Sequence, residues 1–379
     1  MRRGKRLAWA VLVVCAFVAP TSWAEPALPL PGATGLVPFY EDPPPAYEWQ
    51  GEWQSREVAF PSSSTGAELY GVLFAPADLS GLEMLPAVVI VPGSGPSVQS
   101  HVQWAARDLA GHGYLSLTVD PQGVGRSAVL GSSACGPARG AYEGQSPCPG
   151  VPFQQASNYV DAVVSGIDFL LSPENPFSEL VDPSEIGAAG HSLAARGVSW
   201  LQGEDVRIKA IVAWDNLAKD VAGDDGTPSG GGPASTFIGG ELPGTSHPSV
   251  PRVPAMGQAS DSRGSTTPAN DDPSQKKAAY EVWRAAGVAT MEIVFRGASH
   301  FDWVQTNPNA KEPLQRLSAY YTRAWFDRYL RNDTSALERL LASSVNGAPT
   351  EDLLSEQFTS AAFLDGLDCP DLRMCVNSP

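Results

Sequence analysis

The chain has 379 residues, 41 of them acidic and 25 basic, for a formal net charge of −16; 43% are hydrophobic and 17% charged. An acidic surface repels nucleic-acid phosphates and anionic lipid headgroups, so those two classes of partner are set aside. The hydrophobic content supports a large core, and with no internal repeat and no break in composition one domain with insertions is expected.

In chain order, Arg2, Arg3, Lys5 and Arg6 precede an apolar run from Leu7 to Ala19 and small residues at Ser22 and Ala24. That pattern reads as a secretory signal over residues 1–24, cut after Ala24 and too short for a comfortable membrane span. Its removal takes four basic residues and no acids, leaving 21 basic against 41 acidic, about −20. A secreted location, periplasmic or extracellular, follows, with no membrane span after cleavage. Residues 25–54 form a Pro-rich lead-in. Strands are expected at Arg56–Phe60, Glu68–Ala75, Pro86–Val91 and Tyr114–Val119, the last two as continuous apolar runs covered on both faces. A helix follows Gln99, and a longer one carries the stripe Ala156, Tyr159, Val160, Val163, Val164, Ile167, Leu170 and Leu171. Further strands are expected at Ile186–Ala189, Ile208–Trp214, Val253–Ser260 and Thr290–Arg296. Helices are expected after Ser192, around Pro273–Ala286 and along Leu317, Tyr321, Ala324 and Trp325. Residues 216–250 are rich in Gly, Ser and Pro and too long for an ordinary connection, so they read as a lid or insertion. Such alternation gives an α/β fold with a mostly parallel central sheet and helices on both faces, over residues 55–345. Residues 346–379 make a C-terminal tail.

Four cysteines remain after signal removal: Cys135, Cys148, Cys369 and Cys375. In an oxidising compartment an even number reads as disulfides. Of three connectivities, nearest-neighbour pairing is the simplest, each bridge contributing about 2–3 kcal/mol by loop closure. Zinc-knuckle spacing is absent, and no metal or cofactor is expected.

The chemistry gathers at strand ends, where sheets of this class place their sites. Gly190-His191-Ser192-Leu193-Ala194 follows a buried strand and precedes a helix, as a nucleophile elbow requires. A serine hydroxyl needs a base to take its proton and an acid to orient that base. Asp261 and His300 follow Ser192 in the order Ser, Asp, His, each just past an expected strand. Asp215 also ends a strand and is the second candidate for the acid, and for both aspartates an ordinary turn-starting role is the competing reading. His191 is read as packing beside the elbow; His101 and His112 belong to the earlier helix, and His247 lies in the insertion. The backbone N–H of Leu193 and that of Ser94, in the Pro92-Gly93-Ser94-Gly95 turn, would stabilise an oxyanion, with Gly95 as the runner-up donor and pocket residue. A phosphate-binding reading of this turn lacks the lysine it needs. Trp214 and Trp303 flank the strand ends as core residues or as walls of an apolar substrate pocket. Asp120-x-x-Gly-x-Gly-x-Ser127 is read as a structural turn.

These motifs resemble the α/β-hydrolase superfamily over roughly residues 55–345, and more narrowly secreted polyester-hydrolase, cutinase-like and dienelactone-hydrolase-like members. The matching segments are Pro92-Gly93-Ser94, Gly190-His191-Ser192-Leu193, Trp214-Asp215 and Gly257-Gln258-Ala259-Ser260-Asp261. Gly297-Ala298-Ser299-His300 and the run from Ala324 to Asp333 complete the set. The resemblance implies a serine esterase with a Ser192–Asp261–His300 triad, acting on a small-molecule or polymeric ester, with Trp214 contacting substrate. Ala194 stands where the family has glycine, Leu193 where many polyester hydrolases have methionine, and the 216–250 insertion is longer than theirs. A peptidase or amidase with the same triad, or a non-catalytic binding protein on the same scaffold, are the competing functions.

Overall fold

A computed structural model describes residues 53–64, 66–93, 97–127, 156–215, 217–218, 250–261, 272–304 and 312–364. The signal segment, nearly all of the Pro-rich lead-in, all four disulfide candidates, the oxyanion candidates Ser94 and Gly95 and most of the 216–250 insertion lie outside these residues.

The core is a nine-stranded sheet. Its strands are β1 (Trp53–Pro61), β2 (Glu68–Pro76), β3 (Leu85–Val91), β4 (Leu115–Val119), β5 (Val181–His191), β6 (Ile208–Trp214), β7 (Ala255–Ser260), β8 (Thr290–Phe295) and β11 (Leu354–Thr359). A separate two-stranded ribbon pairs β9 (Ser344–Val345) with β10 (Ala348–Pro349). The order in the main sheet is β1-β2-β4-β3-β5-β6-β7-β8-β11. The run from β4 through β8 is parallel, and β1, β2 and β11 pair antiparallel at the edges.

Continuous apolar runs mark the central strands because both faces are covered. In β3 all seven residues are buried. Its side chains divide by the two-residue period of a strand. Ala87, Val89 and Val91 join the core under α2 (Ala156–Leu170) and α3 (Leu193–Glu204), while Val88 and Ile90 join the core under α1 (Gln103–Gly111) and α5 (Glu312–Leu330). Helix α4 (Ala278–Ala285) adds Ala279 and Trp283 to the α2–α3 side. Close approach is built in by glycine: a Cβ on Gly166 of α2 would stand 2.9 Å from Val89, and one on Gly187 of β5 would stand 2.7 Å from Phe326.

Two expectations are modified. The strand around Val253 begins two residues later, at Ala255. The sheet also does not stop at residue 345: β11 pairs along β8, and the short α6 (Ala336–Leu340), α7 (Thr350–Leu353) and α8 (Ala361–Leu364) surround it. No helix among the described residues is long and apolar enough to cross a membrane.

The strand order creates one crevice. The chain leaves β3 toward β4 on one side, then crosses back through α2 to β5 and leaves toward β6 on the other, so the connections from the carboxyl ends of the paired strands β3 and β5 run to opposite sides. Sheets of this kind bind ligands at that point. Gly93 and Ser192 lie there.

Candidate active site

Ser192 sits at the turn from β5 into α3 with φ 56° and ψ −114°, a left-handed conformation that a side chain with a Cβ adopts only when its surroundings impose it. Two backbone bonds impose it here. The Ser192 N–H donates to the Trp214 carbonyl at 2.9 Å, and the Ser192 carbonyl accepts from Arg196 N–H at 3.2 Å. The tight turn needs small neighbours. A Cβ on Gly190 would lie 2.6 Å from the Ala194 carbonyl carbon and 2.7 Å from its oxygen, and a Cβ on Gly93 would lie 2.9 Å from the Ser192 Cβ. The Ser192 side chain is half-buried and accepts no helix-capping bond.

His300 is carried by the turn after β8. The loop is braced by Asp302, whose carboxylate accepts from Ser299 N–H at 2.9 Å and from the Ser299 hydroxyl at 3.0 Å. It passes over the end of β7 and reaches β6 and β5. The His300 Nδ1 meets the Asp215 carboxylate at 2.5 Å, and the His300 carbonyl accepts from His191 Nε2 at 2.8 Å. His191 precedes Ser192, so His300 and the Ser192 turn are linked through adjacent residues. The two imidazole rings lie 4.8 Å apart between centroids.

The carboxylate that His300 meets is therefore Asp215 and not Asp261. Asp215 has φ 47°, which turns its side chain from the end of β6 toward the His300 loop. Its other oxygen accepts from Ser260 N–H at 3.0 Å and from the Ser260 hydroxyl at 2.9 Å. Burial works to raise the Asp215 pKa, but the bond to His300, its charge and the Ser260 N–H outweigh burial and hold the carboxyl well below its usual range. Asp261 has a different task. It accepts from Gly297 N–H at 2.7 Å and from the Ser355 hydroxyl of β11, stapling the start of the His300 loop to the sheet edge. The physical reason is the path of the loop: crossing β7 brings His300 onto the acid of the next strand over.

Trp214 and Trp303 both take core positions, with no exposed surface. Trp214 follows Ala210 and Val212 on the α1–α5 face of β6, packs on Trp104 at 4.9 Å and donates its indole N–H to Thr322 at 3.1 Å. Trp303 donates to the Ser318 hydroxyl at 3.1 Å. Thr322 and Ser318 both bond the Gln258 amide, so the two tryptophans rest on one buried polar network beneath the strand ends. The aromatic ring offered to solvent beside His300 is Phe301, 57% exposed and edge-on to it at 5.0 Å. Its position next to His300 was the available signal.

The Leu193 N–H is the first of helix α3, where the helix itself provides no acceptor, and the helix N-terminus adds its partial positive charge. The Asp120 turn is structural, as expected: its carboxylate accepts from Gln99 N–H at 2.6 Å and Arg126 N–H at 3.0 Å. Burial pushes the Asp120 pKa up to about 7 against the pull of those two donors. Among the described residues no group of three or more His, Cys, Asp or Glu side chains is gathered as a metal site.

A scan against protein-family models finds no match, and a search of the curated proteins finds no significant relative.

Proposed function

We propose that the chain is a secreted serine hydrolase of the α/β-hydrolase fold that cleaves carboxylic esters, with Ser192 as nucleophile, His300 as base and Asp215 as the acid. The reading rests above all on one observation: a buried Asp215–His300 pair bonded, through the His300 carbonyl, to His191, the chain neighbour of a serine in left-handed conformation at a strand-to-helix turn. The sheet order, with its antiparallel first strands and its crossover around β3, supports the fold assignment, and the basic and apolar N-terminus supports secretion.

The chemistry follows from the bonds at each nitrogen. Asp215 accepts the Nδ1 proton of His300, which leaves Nε2 as the acceptor for the Ser192 proton. The Ser192 Oγ attacks the ester carbonyl carbon, and the negative oxygen that forms is met by the Leu193 N–H and the α3 N-terminus. The tetrahedral intermediate collapses by breaking the bond to the alcohol oxygen, which leaves with the proton held on His300. Water then attacks the acyl-serine by the same proton path, releasing the carboxylic acid. Phe301 gives the mouth an apolar contact suited to a hydrocarbon group of the substrate.

Ser192→Ala tests the reading. Hydrolysis of p-nitrophenyl butyrate and covalent labelling by a fluorophosphonate should both disappear in a folded variant. Turnover at the wild-type level would exclude Ser192 as the nucleophile.

A further inference from the structure

His191 is 2% exposed, yet an imidazole is a costly residue to enclose for packing alone. Its Nε2 is bonded to a carbonyl oxygen, an acceptor only, so Nε2 carries the proton and Nδ1 keeps its lone pair. That Nδ1 is buried with no hydrogen-bond partner, facing Gly93. A leucine or methionine would fill the same space without an unsatisfied nitrogen. The feature that only histidine supplies among residues of this shape is the Nε2–H directed at the His300 backbone.

We propose that His191 is a positioning residue for the base: its Nε2–H bond to the His300 carbonyl sets the depth and tilt of the His300 ring relative to Ser192. This rests on the esterase reading above. The geometry is a closed circuit. Asp215 fixes the His300 ring from its Nδ1 side, and His191 fixes the same residue from its backbone. His191 is itself clamped between the His300 ring and Trp303, whose ring lies 6.1 Å away. Because His191 is the chain neighbour of Ser192, any movement of the elbow is passed to the base through one hydrogen bond. Neutrality matters as well. His300 becomes an imidazolium when it takes the Ser192 proton, and a second cation at 4.8 Å would oppose that step. Burial first, and then the neighbouring His300, pushes His191 down to about 3 against the pull of Asp215, with His101 as the other facing group. His191 is therefore neutral at pH values well above 3.

Comparing His191→Gln with His191→Met separates positioning from packing. Gln can place an amide N–H near the Nε2 position, and Met matches its length without a donor. With p-nitrophenyl butyrate, Met should lower kcat about 10–100-fold with KM within about twofold, as displacement of a reacting group does. Gln should recover kcat to within about threefold of wild type, and the rate of fluorophosphonate labelling at Ser192 should follow kcat. Equal kcat for Gln and Met, both high or both low, in folded protein would overturn the proposal. His191→Phe serves as a second donor-free variant. If Met and Phe both fail to fold while Gln folds, the bond serves stability and the positioning role is likewise overturned. Ser192→Ala run beside them keeps the two readings apart, since its continued turnover would remove the esterase reading whatever the His191 variants do.

Discussion

Asp215 holds two partners with two oxygens, Ser260 on one and His300 on the other, and has no exposed surface. Replacing it with asparagine keeps one acceptor but turns an amide NH2 toward His300 or Ser260. Facing His300, that amide forces the imidazole to accept at Nδ1, so the proton moves to Nε2 and the base can no longer take one from Ser192. Asp215→Asn should therefore lower kcat by about 10⁴-fold. Asp261→Asn only loosens the Gly297 end of the loop and should cost no more than about tenfold; kcat values reversed between the two would return the acid role to Asp261. The same carboxylate sets a pH dependence of stability. Its folded pKa lies below the unfolded one, so its contribution is fully present above the unfolded value, near 4, and is lost as pH falls through the folded value. The gap in urea midpoint between wild type and Asp215→Asn should hold its full width above about pH 5 and narrow below about pH 4.

At the scale of elements, the strand–turn–helix unit of β5 and α3 explains why alanine at position 194 is tolerated where the related motif has glycine. The nearest atoms to a Cβ on Gly190 are the carbonyl carbon and oxygen of residue 194, with its Cβ third at 2.8 Å. The strict requirement for a bare Cα thus falls on Gly190, and backbone cannot step aside as a side chain can. Gly190→Ala should destabilise the fold by about 1–3 kcal/mol and shift Ser192 out of line, with kcat falling further than stability does. The double variant Gly190→Ala/Ala194→Gly should stay impaired, because the backbone contacts remain. Recovery of kcat in the double variant would show that the Ala194 methyl was the obstacle. Reading this unit from sequence worked because its signal is local: small residues at fixed offsets around a serine, after a buried strand.

At the scale of the whole molecule, legibility follows how local each cause is. The central strands were readable because helices on both faces turn them into unbroken apolar runs. The face of Trp214 was readable too, since it shares a two-residue period with Ala210 and Val212, but its place at a strand end drew the reading toward a pocket wall. Choosing between Asp215 and Asp261 depends on which strand the His300 loop crosses, a tertiary fact with no mark in either local segment. Strand β11 was missed for another reason: in Leu-Ser-Glu-Gln-Phe-Thr only Leu354 is buried, so an edge strand shows neither a run nor an alternation. Yet this edge closes the sheet. The Ser360 N–H donates to the Thr290 carbonyl at 3.1 Å, its hydroxyl accepts from Thr290 N–H at 3.0 Å, and Phe363 packs fully buried against Trp325 with ring centroids 5.7 Å apart. Because β11 runs antiparallel to β8, Leu354 lies at the His300 end while Thr359 pairs with Met291 at the opposite end, which places Phe363 away from the candidate site. Phe363→Ala should thus remove about 3–5 kcal/mol of stability by leaving a cavity under Trp325. It should leave kcat per fluorophosphonate-labelled Ser192 at the wild-type value. A urea titration and a count of labelled Ser192 on the same preparation measure both, and a fall in kcat per labelled site would mean that this end of the sheet communicates with the Ser192 end.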